Sequence, residues 1–352
     1  MTMWRIGQLL VFILLGLGLA RLLSVDVTAV SHSPWYQYGA FLLLGIGLYG
    51  ATNGIDLRQA KQDKKIIVLA VTVGVVLKAL IIGGSLALFW DDPLFLILGV
   101  AVAQIDPLSV AALMGDGRLS TRARTVLAAW SSFDDPFTVV LSIYAAAVAV
   151  NTFGLGSGVP TGTSPALLYA WDLAGNIALA LVAWLIWRLE AVQDRAWLQY
   201  LLLLAFLAVS VVFGLMLGIA IIGLFARPQK LEPLIPRITT AAMFLAAIVL
   251  GFLLIDGIEF GKGIALGAMA YLAQAIVAVP LARKFPPLDR WHLAAAQQNG
   301  ITAIILALAL EIQFDGVVAV VAPAIITANV LHFVVNKVID LNERKLAGVA
   351  GS

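Results

Sequence analysis

The sequence predicts an all-α integral membrane protein of about twelve transmembrane helices, built as two inverted repeats with two broken, crossing helices. Three observations lead to that fold class. Of 352 residues, 62% are hydrophobic and 12% charged, about half the charged fraction of a soluble domain. Apolar runs of roughly 20 residues recur along the chain, each long enough to cross a hydrocarbon core of about 30 Å. Short motifs of the first half also return, in order, in the second.

Composition excludes several function classes. Cysteine is absent, which removes disulfides and thiolate metal sites, and His32, His292 and His332 lie too far apart in sequence to suggest a metal cluster. A net charge of +2 gives no reason to expect a nucleic-acid partner. No resident cofactor is expected.

In chain order, the clear spans are 6–24, read as a retained helix, then 36–54, 66–90, 93–114, 123–150 and 166–188. The uncharged stretch 151–164 reads as an external linker. After 197–226 come 237–256, 258–283, 291–312 and 316–338. The stretch 197–226 admits one long helix or two short ones meeting near Gly214. Two short helices gather all of the 22 basic residues except Arg21, Lys78 and Lys262 on one face. The positive-inside bias therefore selects twelve spans with both termini cytoplasmic.

Leu15-Gly16-Leu17-Gly18-Leu19-Ala20-Arg21 is echoed by Ile221-Ile222-Gly223-Leu224-Phe225-Ala226-Arg227. Gly54-Ile55-Asp56-Leu57 is echoed by Gly257-Ile258-Glu259-Phe260, and Gln104-Ile105-Asp106-Pro107 by Gln297-Gln298-Asn299-Gly300. Spans one to five then correspond to eight to twelve, an odd offset, so the second copy is upside down, as in secondary transporters.

Charge inside apolar runs marks the candidate site. Asp134 and Asp135 are adjacent in span five, where an ionised side chain at bilayer depth costs at least about 2.5 kcal/mol. Ser131 lies on their face and is expected to donate its hydroxyl to one of them. Pro136 deprives the Ser132 carbonyl of its helical donor. Span four breaks at Gln104-Ile105-Asp106-Pro107, where Pro107 frees the Ala103 carbonyl and Asp106 suits the positive end of a half-helix. Span eleven breaks at Gln297, Gln298, Asn299 and Gly300, polar but uncharged. Asp135, Asp134, Asp106 and Ser131 with freed carbonyls make a hard, oxygen-rich site for an alkali cation, and buried neighbouring acids also take protons. Cation and proton then compete for the same oxygens. Lys78, the one basic residue at mid-span, is expected to pair with Asp134 or Asp135, its repeat counterpart lying near Gln274. Asn329, His332 and Asn336 form a polar stripe read as packing rather than ligation.

These motifs resemble the cation/proton antiporter superfamily, the group of bacterial sodium/proton antiporters and animal sodium/proton exchangers. Ile105-Asp106-Pro107 is similar to its Thr-Asp-Pro break, and Asp134-Asp135, 29 residues on, to its paired acids. The resemblance implies exchange of a monovalent cation, Na+ first and K+ or Li+ after it, for protons. It also implies a homodimer in the cell membrane whose core, 66–150 and 258–340, moves like an elevator. The scaffold would be 6–54 and 197–256, with 166–188 as linking helix. Asp135 would carry the ion and proton with Asp134 as its partner, and an Asp-Asp pair implies electrogenic exchange. The family's Glu and Arg are replaced here by Trp130 and about Asn299, its tenth-span lysine by Gln274, and its threonine by Ile105. Two other readings compete with this one. A sodium-coupled symporter of an organic anion needs anion-binding groups beyond Lys78, and an intramembrane aspartyl protease on Asp106 and Asp135 needs motifs that do not surround these acids.

Overall fold

The computed structural model describes residues 3–24, 26–54, 63–106, 110, 119–155 and 165–350. Pro107, most of 54–57, Arg58, Lys61, Arg118 and the linker over 156–164 lie outside the described residues. All regular elements among the described residues are helical. In chain order they are α1 (Met3–Leu22), α2 (Val27–Ser31), α3 (Pro34–Asn53), α4 (Lys64–Trp90), α5 (Leu94–Val102) and α6 (Thr121–Phe153). There follow α7 (Pro165–Trp187), α8 (Glu190–Gln193), α9 (Ala196–Phe213), α10 (Met216–Gly223) and α11 (Ile235–Leu253). The last four are α12 (Phe260–Leu281), α13 (Pro287–Ala294), α14 (Ile301–Glu311) and α15 (Val317–Ala350). Among the described residues seven helices are long and apolar enough to cross a membrane: α4, α6, α7, α9, α11, α12 and α15.

The ambiguous stretch divides at the glycine that the sequence suggests. Gly214 ends α9 with φ +71° and donates its N–H to the Ser210 carbonyl, a left-handed helix end that favours glycine. The second piece, α10, has eight residues and is about 12 Å long, well short of a full crossing. Span four is also shorter than its apolar run, because α5 stops at Val102 and the chain runs irregularly through Asp106. Span eleven is α13 and α14 with residues 295–300 between them.

The packing has the reciprocity of a repeat. The first helix, α1, packs along α11, the second helix of the second half, while α10 packs along α3, the second helix of the first half. Each copy thus lends its first helix to the other. The matched glycine stretches sit at these contacts within one residue of register. A Cβ on Gly16 would overlap the Ile248 carbonyl, and one on Gly223 would overlap the Thr52 hydroxyl. The third helices of the two copies, α4 and α12, pack on each other.

The main apolar cluster wraps the two breaks, with Ile97, Leu98 and Val100 on one side and Ile304, Ile305 and Leu308 on the other. At the end rich in basic loops, Arg122 donates to Asp63 at 2.6 and 3.0 Å and lies over the Phe285 ring. These hydrogen bonds hold the Asp63 carboxyl below its ordinary value. The stabilisation is present above the carboxylate range and fades as pH falls through it, and in so exposed a pair it amounts to at most about 1 kcal/mol.

Candidate ion-binding site

Three structures meet at the site: the break after α5, the break before α14, and the middle of α6. The two breaks hydrogen-bond directly to each other. The Asp106 N–H donates to the Gln298 carbonyl at 2.9 Å. The Gln297 amide donates to the carbonyls of Val102 (3.0 Å) and Gln104 (2.8 Å), and the Asn299 amide to Val102 (3.1 Å). Broken backbone at this depth needs such partners, since no lipid can supply them. From α15, Asn329 closes the second break by accepting from the Asn299 N–H and donating to the Asn299 carbonyl. His332 and Asn336 both reach the Ala295 carbonyl. The polar stripe on α15 is therefore a backbone clamp.

Asp134 and Asp135 are fully buried and differently held. Asp134 Oδ2 accepts from Lys78 Nζ at 3.1 Å and from the Ile105 N–H at 3.0 Å. Lys78 is itself fully buried, and its ammonium lies 5.5 Å from the centre of the Trp130 ring. Trp130 thus meets the lysine's charge with its π-face. Close backbones bring α4 to the break, for a Cβ on Gly99 would come within 2.6 Å of Gly83 Cα. A π-helical turn, Ala70–Gly74, precedes Lys78 on α4, and its extra residue re-phases the face that follows.

Asp135 Oδ2 accepts from the Thr302 hydroxyl at 2.7 Å, while Oδ1 has no hydrogen-bond partner. Asp106 is buried with its carboxyl against Gly300, where a Cβ would overlap it. Gly300 is the residue from which α14 starts, so the carboxylates of Asp106 and Asp135 collect at the positive end of that half-helix. The amides of Gln104, Gln274 and Gln297 donate to backbone carbonyls, and the Oε1 of each is left without a hydrogen-bond partner. Bare amide oxygens thus lie on both breaks, at Gln104 and Gln297, as a cation site requires.

Of the residues singled out from the sequence, Asp106, Asp134, Asp135, Lys78, Ile105, Gln104, Gln298 and Asn299 come together here. Ser131 does not reach the acids. Its hydroxyl donates to the Ala128 carbonyl of its own helix at 3.1 Å, the local alternative that a serine inside a helix always has. Ser132 is buried one turn before Pro136, which lies inside α6 and offers its carbonyl no N–H. Gln274, the repeat counterpart of Lys78, donates to the Leu293 carbonyl at the end of α13. Sequence reasoning missed Thr302 and the closing roles of Gln297 and Asn329. A hydroxyl two residues beyond Gly300, the last residue of the second break, was the available signal for Thr302.

A family described as "Sodium/hydrogen exchanger, transmembrane" matches residues 1–227, well over half of the chain and inclusive of the first break and both acids. The chain belongs to the sodium/hydrogen exchanger family. It is accordingly a multi-pass membrane protein. A relative of this chain, the Na(+)/H(+) antiporter ApNhaP of Aphanothece halophytica, is 32% identical over 161 residues, which are 45% of this chain and 28% of the relative. The aligned part thus spans under a third of that relative's length. The fold of the chain is similar to that of the sodium proton antiporter MjNhaP1 from Methanocaldococcus jannaschii at pH 8, with a TM-score of 0.68 at 16% identity, over 92% of this chain and 87% of that one. A second structure of MjNhaP1, an electron-microscopy map, matches with a TM-score of 0.63 at 17% identity over 99% and 97% of the two chains.

Proposed function

We propose that this chain exchanges a monovalent cation, Na+ before Li+ or K+, for protons at Asp135. The observation that carries the reading is the inequivalence of the two acids. Asp134 is tied by Lys78 and by the Ile105 N–H, whereas Asp135 keeps one carboxylate oxygen bare inside a buried, oxygen-rich crossing. That oxygen takes either a proton or a cation. Competition between the two, with access to one side at a time, is sufficient for exchange.

The Lys78–Asp134 pair adds a second exchangeable proton beside Asp135. Two protons against one monovalent cation move net charge, so the exchange is electrogenic. The unit that moves is the core of 66–150 and 258–340, carried as an elevator against a scaffold of 6–54 and 197–256, with 166–188 linking them and two chains forming a homodimer. The membrane is the cell membrane, with both termini cytoplasmic, and the basic loops support that orientation. An organic-anion symporter is disfavoured because Lys78, the mid-membrane cation, is already engaged by Asp134.

Asp135→Asn is the direct test. In proteoliposomes bearing a proton gradient, the wild-type chain releases protons on addition of Na+, and the variant does not, while its unfolding temperature stays near that of the wild type. Undiminished exchange in the variant would falsify the assignment of Asp135 as carrier. Comparison of Na+, Li+ and K+ at several pH values ranks the cations.

A further inference from the structure

We propose that Thr302 is a positioning residue of the cation site, lending to Asp135 from the helix that follows the second break the hydroxyl that position 105 of the first break does not provide. The inference rests on the exchange reading and deepens it. Ile105 brings only its backbone N–H, and that N–H is committed to Asp134. The Ser131 hydroxyl is spent on Ala128. The hydroxyl of Thr138, one turn beyond the acids on α6, is buried without a hydrogen-bond partner. Among the described residues, Thr302 therefore supplies the side-chain hydroxyl bonded to the acid pair, donating to Asp135 at 2.7 Å and buried. Each break gives one donor to one carboxylate: the first gives an N–H to Asp134, the second a hydroxyl to Asp135.

That donor has two consequences for the ion. It fixes the plane of the Asp135 carboxylate, so that bare Oδ1 faces the crossing in one orientation. It also occupies Oδ2 with a neutral donor, which leaves Oδ1 as the oxygen that meets a cation. The charged groups around Asp135 are Asp134 on its own helix and Asp106 from the first break, with Lys78 reaching from α4 through Asp134. Among its described residues the second break contributes no charge, so what it brings to Asp135 is a neutral hydroxyl. A hydroxyl that donates one hydrogen keeps two lone pairs, and Thr302 can bond Oδ2 and face a cation on Oδ1 at the same time. Oxygen of this kind is hard and suits Na+.

The test compares the wild-type full-length chain with Thr302→Val, Thr302→Ala and Thr302→Ser. Na+ is titrated in two assays: the rise in unfolding temperature of purified protein in detergent, and proton movement in proteoliposomes. A hydrogen bond to a charged group is worth enough that losing it should raise the half-saturating Na+ concentration about tenfold in Thr302→Val in both assays. The maximal rate should change far less, and Thr302→Ser should recover most of the affinity. Thr302→Ala carries the same expectation should the valine variant fail to fold. Unaltered Na+ titration in the valine or alanine variant overturns the proposal. So does a serine variant as impaired as the valine one, since that would mark a packing role. A wild-type chain that moves no protons removes the exchange reading, and Thr302 then stands or falls on the unfolding titration alone.

Discussion

Asp134 and Asp135 project about 100° apart on α6, and the difference in direction becomes a difference in neighbours. One faces a buried ammonium and a backbone N–H, the other a hydroxyl. The first arrangement is a buried ion pair, whose members are costly to separate: removing one partner leaves the other's charge uncompensated, at about 3–5 kcal/mol. Lys78→Met should lower stability by about that amount in a denaturation series in detergent. The double variant Lys78→Met with Asp134→Asn should recover most of the loss, and a double variant as unstable as the single one would show that Lys78 acts through packing alone. The charged residues of the site were legible in the sequence because charge inside an apolar run is too costly to persist without a use. The hydroxyls were not. Ser131 had the right spacing to the acids but bonds its own helix, and Thr302 approaches from another part of the chain, 167 residues beyond Asp135.

At the scale of elements, the two breaks were visible as polar interruptions of apolar runs, and the structure places them in direct contact. What the sequence could not display was which carbonyls each break exposes and what closes on them. Gln297 and Asn329 do that closing, and glutamine or asparagine in an apolar helix signals only that some partner exists. Asn329→Leu deprives both the N–H and the carbonyl of Asn299 of a partner. Each buried backbone group left unpaired costs about 1–3 kcal/mol, so a loss of about 2–6 kcal/mol is expected on thermal or denaturant unfolding. The same variant should weaken Na+ binding, because the break it closes is the one from which Thr302 projects. A variant with wild-type stability would mean that the second break does not need this clamp.

At the scale of the molecule, the exchange of first helices between the halves gives physical form to the weak echoes in the sequence. Their reach was limited there by short matches, and the divided stretch at Gly214 could be placed only by counting basic residues. The charge moved per cycle is also a property of the whole molecule. With Lys78 paired to Asp134, exchange should respond to an imposed membrane voltage, and Lys78→Gln should lose most of that response while retaining cation-dependent proton movement. Equal voltage dependence in the two proteins would assign the second proton elsewhere.

The hydrogen bonds that join one break to the other carry a last consequence. Val102, Gln104 and Asp106 are bonded to Gln297, Gln298 and Asn299 across the crossing, so neither break can shift without the other. They form a cross-brace, and in the elevator step proposed above the oxygens around Asp135 would travel as one rigid setting. A cation entering from either side of the membrane would then meet the same ligands at the same spacing, and the expected outcome is one order of preference among Na+, Li+ and K+ from both faces, checked by exchange measured in the two directions.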